Sequence, residues 1–74
     1  MKRITREQKR YVEDKAPWFM ALVQAAEQQS DATADPAINV TLAQFRGDIT
    51  LLYACLLFAG SSAVSVRFVP KIRA

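Results

Sequence analysis

Eighteen consecutive residues, Ile49 to Val66, carry no charge. This run constrains the chain more than any other feature, because about 20 apolar residues suffice for a helix across a bilayer. The same run can instead hold two elements joined without a charge: a buried helix stopping near Gly60, and then a strand. Which description applies decides whether the chain belongs in lipid or in water.

The residues before the run favour the second description. Thr41-Leu42-Ala43-Gln44 has the capping-box form, in which a Thr hydroxyl and a Gln side chain satisfy free amides at a helix start. Behind it, Leu42, Phe45, Ile49, Leu52, Leu56 and Ala59 recur in alternating steps of three and four. This heptad-like seam predicts a helix over 41–59 that suits a bundle. Gly47 interrupts it at about 1 kcal/mol relative to alanine. Leu51, Ala54, Leu57 and Phe58 fill the other faces, as expected of a helix buried on most sides or lying in lipid. Gly60 then serves as a left-handed helix end. Val64, Val66 and Phe68 alternate with Ser65, Arg67 and Val69, which predicts a strand or extended tail over 63–69, ended by Pro70. A lone strand is unstable in water, so this one is expected to pair with a second copy, with a partner's sheet edge, or to pack on the helices.

The first segment, 5–29, reads as helical. Thr5-Arg6-Glu7-Gln8 is a second capping-box form, and Tyr11, Val12, Ala16, Phe19, Leu22, Val23 and Ala26 share helical spacing. Pro17 either kinks this helix or splits it, since proline is excluded from helix interiors and welcome in a first turn. Residues 30–39 read as a loop, with Pro36 biasing Asp35 away from helix. The fold expected is therefore mainly α: a single domain, 1–74, formed as an antiparallel helical hairpin with a short C-terminal strand or tail and completed by oligomerisation.

Size supports that completion. A chain of 74 residues buries little surface alone, and small cores usually need disulfides, metals or association. Cys55 is the only cysteine and there is no histidine, so neither an internal disulfide nor a structural zinc site is expected. The apolar share of 51% is high and fits a surface covered by a second copy, a partner or lipid. The expected interface comprises Trp18, Phe19, Leu42, Phe45, Ile49, Leu52, Leu56, Val64, Val66 and Phe68.

Charge gathers at the two ends. Lys2, Arg3, Arg6, Lys9 and Arg10 lie at one, Arg67, Lys71 and Arg73 at the other, and the net charge is +3. These are the candidate contacts for nucleic acid or another anionic ligand, although Glu7, Glu13 and Asp14 dilute the first cluster. No apolar stretch with a cleavage site follows the basic start, so no secretory leader is expected and the cytoplasm is the expected location. The membrane, through a single span over Ile49–Val66, is the alternative.

Little catalytic chemistry is on offer. Without histidine the usual base near neutral pH is missing, and Cys55 has no base near it in sequence. Neither glycine belongs to a phosphate-binding loop, and the acids at 13, 14, 31 and 35 do not follow a calcium-loop spacing. No catalytic residue, cofactor or metal is expected. Arg46-Gly47-Asp48 matches a string read by cell-adhesion receptors, but its predicted place within a helix marks it as chance. Asp48 is expected to pair with Arg46 or with Arg67 of another copy. The chain thus reads as a small homo-oligomeric module, of the kind a phage or mobile element encodes, that regulates or inhibits another protein by occupying its surface.

Overall fold

The computed structural model describes residues 3–29 and 36–70. It is mostly helical, with three α-helices and a short two-stranded sheet. The anionic-contact candidates Lys2, Lys71 and Arg73, the acids Asp31 and Asp35, and the 30–35 part of the expected loop lie outside the described residues.

Helix α1 covers Arg6–Lys15. Its capping box forms as the sequence predicts: the Gln8 amide donates to Thr5 Oγ1 at 3.1 Å, and the Thr5 amide donates to Gln8 Oε1 at 2.9 Å. Pro17 splits the segment. Ala16 leaves the helical region at φ −138°, ψ 56°, as a residue before proline tends to do. Helix α2 then runs Pro17–Gln29 with the proline in its first position, where a missing amide costs nothing. Ala16 is fully buried at this corner, and its small side chain lets the two helices turn closely around it.

The stretch 36–48 departs from the sequence expectation twice. Strand β1, Ala37–Val40, occupies what reads as loop. Ile38 and Val40 are buried while Ala37 and Asn39 are exposed, so its period is two, but over too few residues to stand out beside Pro36. The helix expected over 41–59 does not begin at Thr41. Leu42–Phe45 forms one 3₁₀ turn instead, with the Thr41 amide donating to Gln44 Oε1 at 2.9 Å. Arg46 and Gly47 then both take left-handed conformations, at φ 54° and 79°. No α-helix continues through two such residues.

Helix α3 covers Ile49–Ser61 with Asp48 as its N-cap. Its buried residues are Leu51, Ala54, Cys55, Phe58 and Ala59, a spacing of three and four that begins two residues after the seam position Ile49. The helix has two apolar stripes, and the one with the small residues Ala54, Cys55 and Ala59 faces the core. Small side chains there let α1 pack closely against α3. The helix ends one turn-corner later than expected. Gly60 stays helical and Ala63 takes the left-handed position at φ 57°. The Val64 amide reaches back to the Ala59 carbonyl at 2.9 Å and the Ala63 amide to that of Gly60 at 3.1 Å. That is a Schellman ending, with Val64 buried beside Ala59.

The uncharged run is thus a helix, a turn and a strand, and not one spanning helix. The 13 residues of α3 measure about 20 Å at about 1.5 Å each, against about 30 Å of bilayer hydrocarbon. No helix among the described residues is long and apolar enough to cross a membrane.

Strand β2, Ser65–Phe68, finds its neighbour inside the chain. It pairs in parallel with β1, Ala37 opposite Ser65 and Val40 opposite Phe68. The crossover between them carries α3, as parallel pairing requires. The core lies between the helices and the sheet. At its centre Phe19 is fully buried, with the rings of Trp18, Phe45 and Phe58 at 5.7, 6.2 and 6.5 Å from its own.

Two substitutions test the two left-handed corners in opposite directions. A Cβ at Gly47 meets nothing within 4 Å, so only backbone strain opposes it. Gly47→Ala is expected to destabilise by about 1 kcal/mol. Ala63→Gly relieves the same strain and is expected to stabilise by about 0.5–1 kcal/mol. Urea unfolding followed by Trp18 fluorescence measures both; equal signs would contradict these backbone assignments.

Candidate interaction surface

The geometry at the start of α3 begins with Asp48. As N-cap it accepts the Leu51 amide on Oδ1 at 2.9 Å, and its Oδ2 accepts the Tyr11 hydroxyl at 2.5 Å. One carboxylate therefore caps α3 and ties it to α1. The Tyr11 hydroxyl and, after it, the Leu51 amide hold the Asp48 carboxyl below the ordinary aspartate range. The same hydrogen bond holds the Tyr11 phenol above its usual value. Asp48 makes no ion pair among the described residues of the chain, and its carboxylate is engaged by this hydrogen bond.

Arg46-Gly47-Asp48 sits in an exposed turn and not within a helix. Exposure does not make it a free recognition string, because both Asp48 oxygens are already bonded inside the chain.

Cys55 is fully buried on the core side of α3. Burial, with a smaller contribution from the Asp48 charge, pushes its thiol up to about 12. It is protonated at neutral pH and packs as a small apolar side chain. No cluster of three or more metal-ligating side chains occurs among the described residues.

The seam of the sequence divides between the inside and the outside of the fold. Phe45 is buried, as is Ala59. Leu42 and Ile49, by contrast, are 62% and 71% exposed, and Leu56 is also exposed. Leu52 is half-buried between them. The corner at Arg46–Asp48 causes this, since it rotates α3 relative to a continuous helix and leaves Ile49, Leu52 and Leu56 on the outer stripe. With the 3₁₀ turn, Ile49 and Leu52 border an open groove of about 390 Å³, lined by Leu42, Ala43, Phe45, Gly47, Asp48, Ile49 and Leu52, and Leu56 lies further along the stripe. Trp18 is half-buried, its ring 5.5 Å from Phe45, which forms part of the groove lining.

The other candidate interface residues separate in the same way. Phe19 and Val64 belong to the chain's own core, together with Phe45, which also lines the floor of the groove. Val66 is half-buried and Phe68 exposed, both on β2. Among the anionic-contact candidates, Arg3, Arg6, Lys9 and Arg10 are exposed. The spacing of Arg6, Lys9 and Arg10 sets them on one side of α1, with Glu13 among them. Arg67 lies on the exposed side of the sheet, in register with Asn39. The one ion pair recorded among the described residues, Lys15 to Asp14 at 3.6 Å, is solvent-exposed.

Sequence reasoning missed the Tyr11–Asp48 contact, which joins residues far apart in the chain. It carried one local signal, a Gly-Asp pair before an apolar helix, which is a turn followed by a cap. No known family, curated protein or solved structure matches this chain.

The Tyr11–Asp48 bond gives stability a pH dependence of defined sign. The lowered Asp48 contributes fully above the unfolded aspartate value, about 4, and that contribution is lost as pH falls through its folded value. The raised Tyr11 contributes fully below about 10 and is lost as pH rises through its folded value. Tyr11→Phe is therefore expected to weaken both limbs and leave the middle flat. The alkaline limb left behind belongs in part to Cys55. Urea midpoints across about pH 3 to 11 check this, and a variant with an unchanged acid limb would break the assignment.

Proposed function

We propose that this chain is a small non-catalytic binding protein. It is a homo-oligomer whose first helical segment and α3 lie as an antiparallel hairpin, and it regulates or inhibits a protein partner in the cytoplasm by occupying that partner's surface. The observation that carries this reading is the uncovered outer stripe of α3. Leu42 and Ile49 are exposed at an apolar groove and Leu56 further along the helix, although the same chain buries Phe19, Val23 and Val40 completely. Isolated exposed apolar residues are ordinary; several adjoining ones beside a groove indicate an interaction surface. A second copy, applying the same stripe about a twofold axis, covers it and enlarges a core that is marginal in one chain. The buried, protonated Cys55 and the engaged Asp48 support a binding role, since neither side chain is poised for turnover.

Light scattering coupled to size-exclusion chromatography tests the oligomer. The protein is expected to run as a dimer or higher at micromolar concentration. Ile49→Asp places a charge on the exposed stripe and, at the first position of α3, suits the helix N-terminus. It is expected to weaken association at least about tenfold, the equivalent of about 1.4 kcal/mol, with helicity unchanged by circular dichroism. A wild-type monomer throughout the concentration range would refute the homo-oligomer.

A further inference from the structure

Among the described residues, strand β2 is paired on one side only. The Ser65 amide donates to the Pro36 carbonyl at 3.0 Å, and the Val69 amide donates to that of Val40 at 2.9 Å. Successive residues of a strand direct their backbone groups to opposite sides. Odd-numbered residues of β2 therefore face β1, and Val66 and Phe68 present their amides and carbonyls to the other side. No further strand of the described residues lies there, because the sheet consists of β1 and β2.

The side chains at the same positions emerge from beneath the helices. Val64 is 4% exposed, Val66 is half-buried and Phe68 is 44% exposed. Their register neighbours on β1, Ile38 and Val40, are buried. An unmade backbone ladder and a partly uncovered apolar row thus coincide on one edge. Among the described residues, the one charge on the sheet's exposed face at that edge is Arg67.

Arg67 argues against a second β2 as the occupant. One antiparallel self-pairing satisfies all four backbone groups of Val66 and Phe68, namely Val66 with the partner copy's Phe68 and the reverse. That register is centred on Arg67 and sets the two guanidinium side chains directly opposite, in the close non-hydrogen-bonded site where like charges repel. Shifting by one pairing step in either direction leaves groups unmet, because the Val64 amide already donates to Ala59 and Pro70 has no amide. The edge accepts a strand but disfavours its own copy.

We propose that the open edge of β2 receives an extended segment of the protein partner, antiparallel to β2, with an acidic residue opposite Arg67 and apolar residues on either side of it. The segment adds a third strand through the backbone groups of Val66 and Phe68. Its apolar side chains cover Val66 and Phe68, and its carboxylate meets Arg67. This inference rests on the reading that the chain binds another protein; it requires neither the α3 stripe nor an oligomer.

The test titrates the full chain with two capped pentapeptides, Thr-Val-Glu-Val-Thr and Thr-Val-Lys-Val-Thr, and follows backbone amide resonances. Saturable shifts and slowed exchange at Val66 and Phe68 are expected, with the Glu peptide bound about three- to fivefold tighter than the Lys peptide. Arg67→Glu is expected to reverse that order. Val66→Pro removes only an outward amide and is expected to abolish binding with the fold kept, since proline is tolerated on the open side of an edge strand. Should that variant unfold, Phe68→Lys examines the same edge without proline. If neither peptide binds, Arg67 and Pro70 are protective features of a closed edge and the proposal is overturned. It is equally overturned if Arg67→Glu leaves the preference unchanged, or if Val66→Pro abolishes self-association, which would assign the edge to a second copy. Repeating the titration with Ile49→Asp separates the two readings: retained peptide binding with lost association isolates the strand edge, whereas lost peptide binding with an intact oligomer removes this inference alone.

Discussion

The fold turns on the carboxylate of Asp48. It closes the first turn of α3 through the Leu51 amide and fastens that turn to α1 through the Tyr11 hydroxyl. Those two bonds set where α3 begins and how it is rotated, and rotation decides which of its two apolar stripes faces inward. Had the helix begun at Thr41, the large residues Ile49, Leu52 and Leu56 would extend a stripe from Leu42 and Phe45. Beginning at Ile49, it directs Leu51, Ala54, Cys55, Phe58 and Ala59 to the core. The outer stripe and its groove are the complement of that choice.

Much of this was legible in the residues, and the failures share one cause. The capping box at Thr5, the break at Pro17, the apolar helix through Phe58 and the alternation from Val64 to Phe68 are local patterns, and the structure contains each of them. Strand β1 is four residues long, too short for periodicity to exceed the turn signals around it. The seam from Leu42 to Ala59 satisfies helical spacing, but spacing counts apolar positions and not backbone dihedrals, so Gly47 reads as a tolerated interruption and the left-handed Arg46 leaves no trace in the pattern. Periodicity also cannot rank two apolar stripes on one helix. The stripe with alanine and cysteine won because close contact with α1 needs small residues. Of the candidate interface, the sequence could not tell the residues that pack inward, Phe19, Phe45 and Val64, from those left outside.

The two proposed surfaces differ in kind. The α3 stripe is side-chain surface, apolar and shaped by Leu42 and Ile49. The β2 edge is backbone surface, with direction and register but little area. A side-chain surface selects by shape, whereas an edge accepts many sequences and selects mainly through its flanking side chains. Trp18 links the groove to the core, because its ring lies against Phe45 under the groove and Phe19 at the centre.

The parallel pairing of β1 and β2 also carries a loop-closure cost. Joining Ala37 to Ser65 closes a loop of roughly 28 residues, an entropic cost of about 3 kcal/mol if the intervening chain is still flexible. The caps of α1 and α3 close over three residues. Helix α3 spans much of that loop, so forming it first shortens the search left to the two strands. The sheet is far less local than the helix caps, and a preformed α3 holds its two strands near one another.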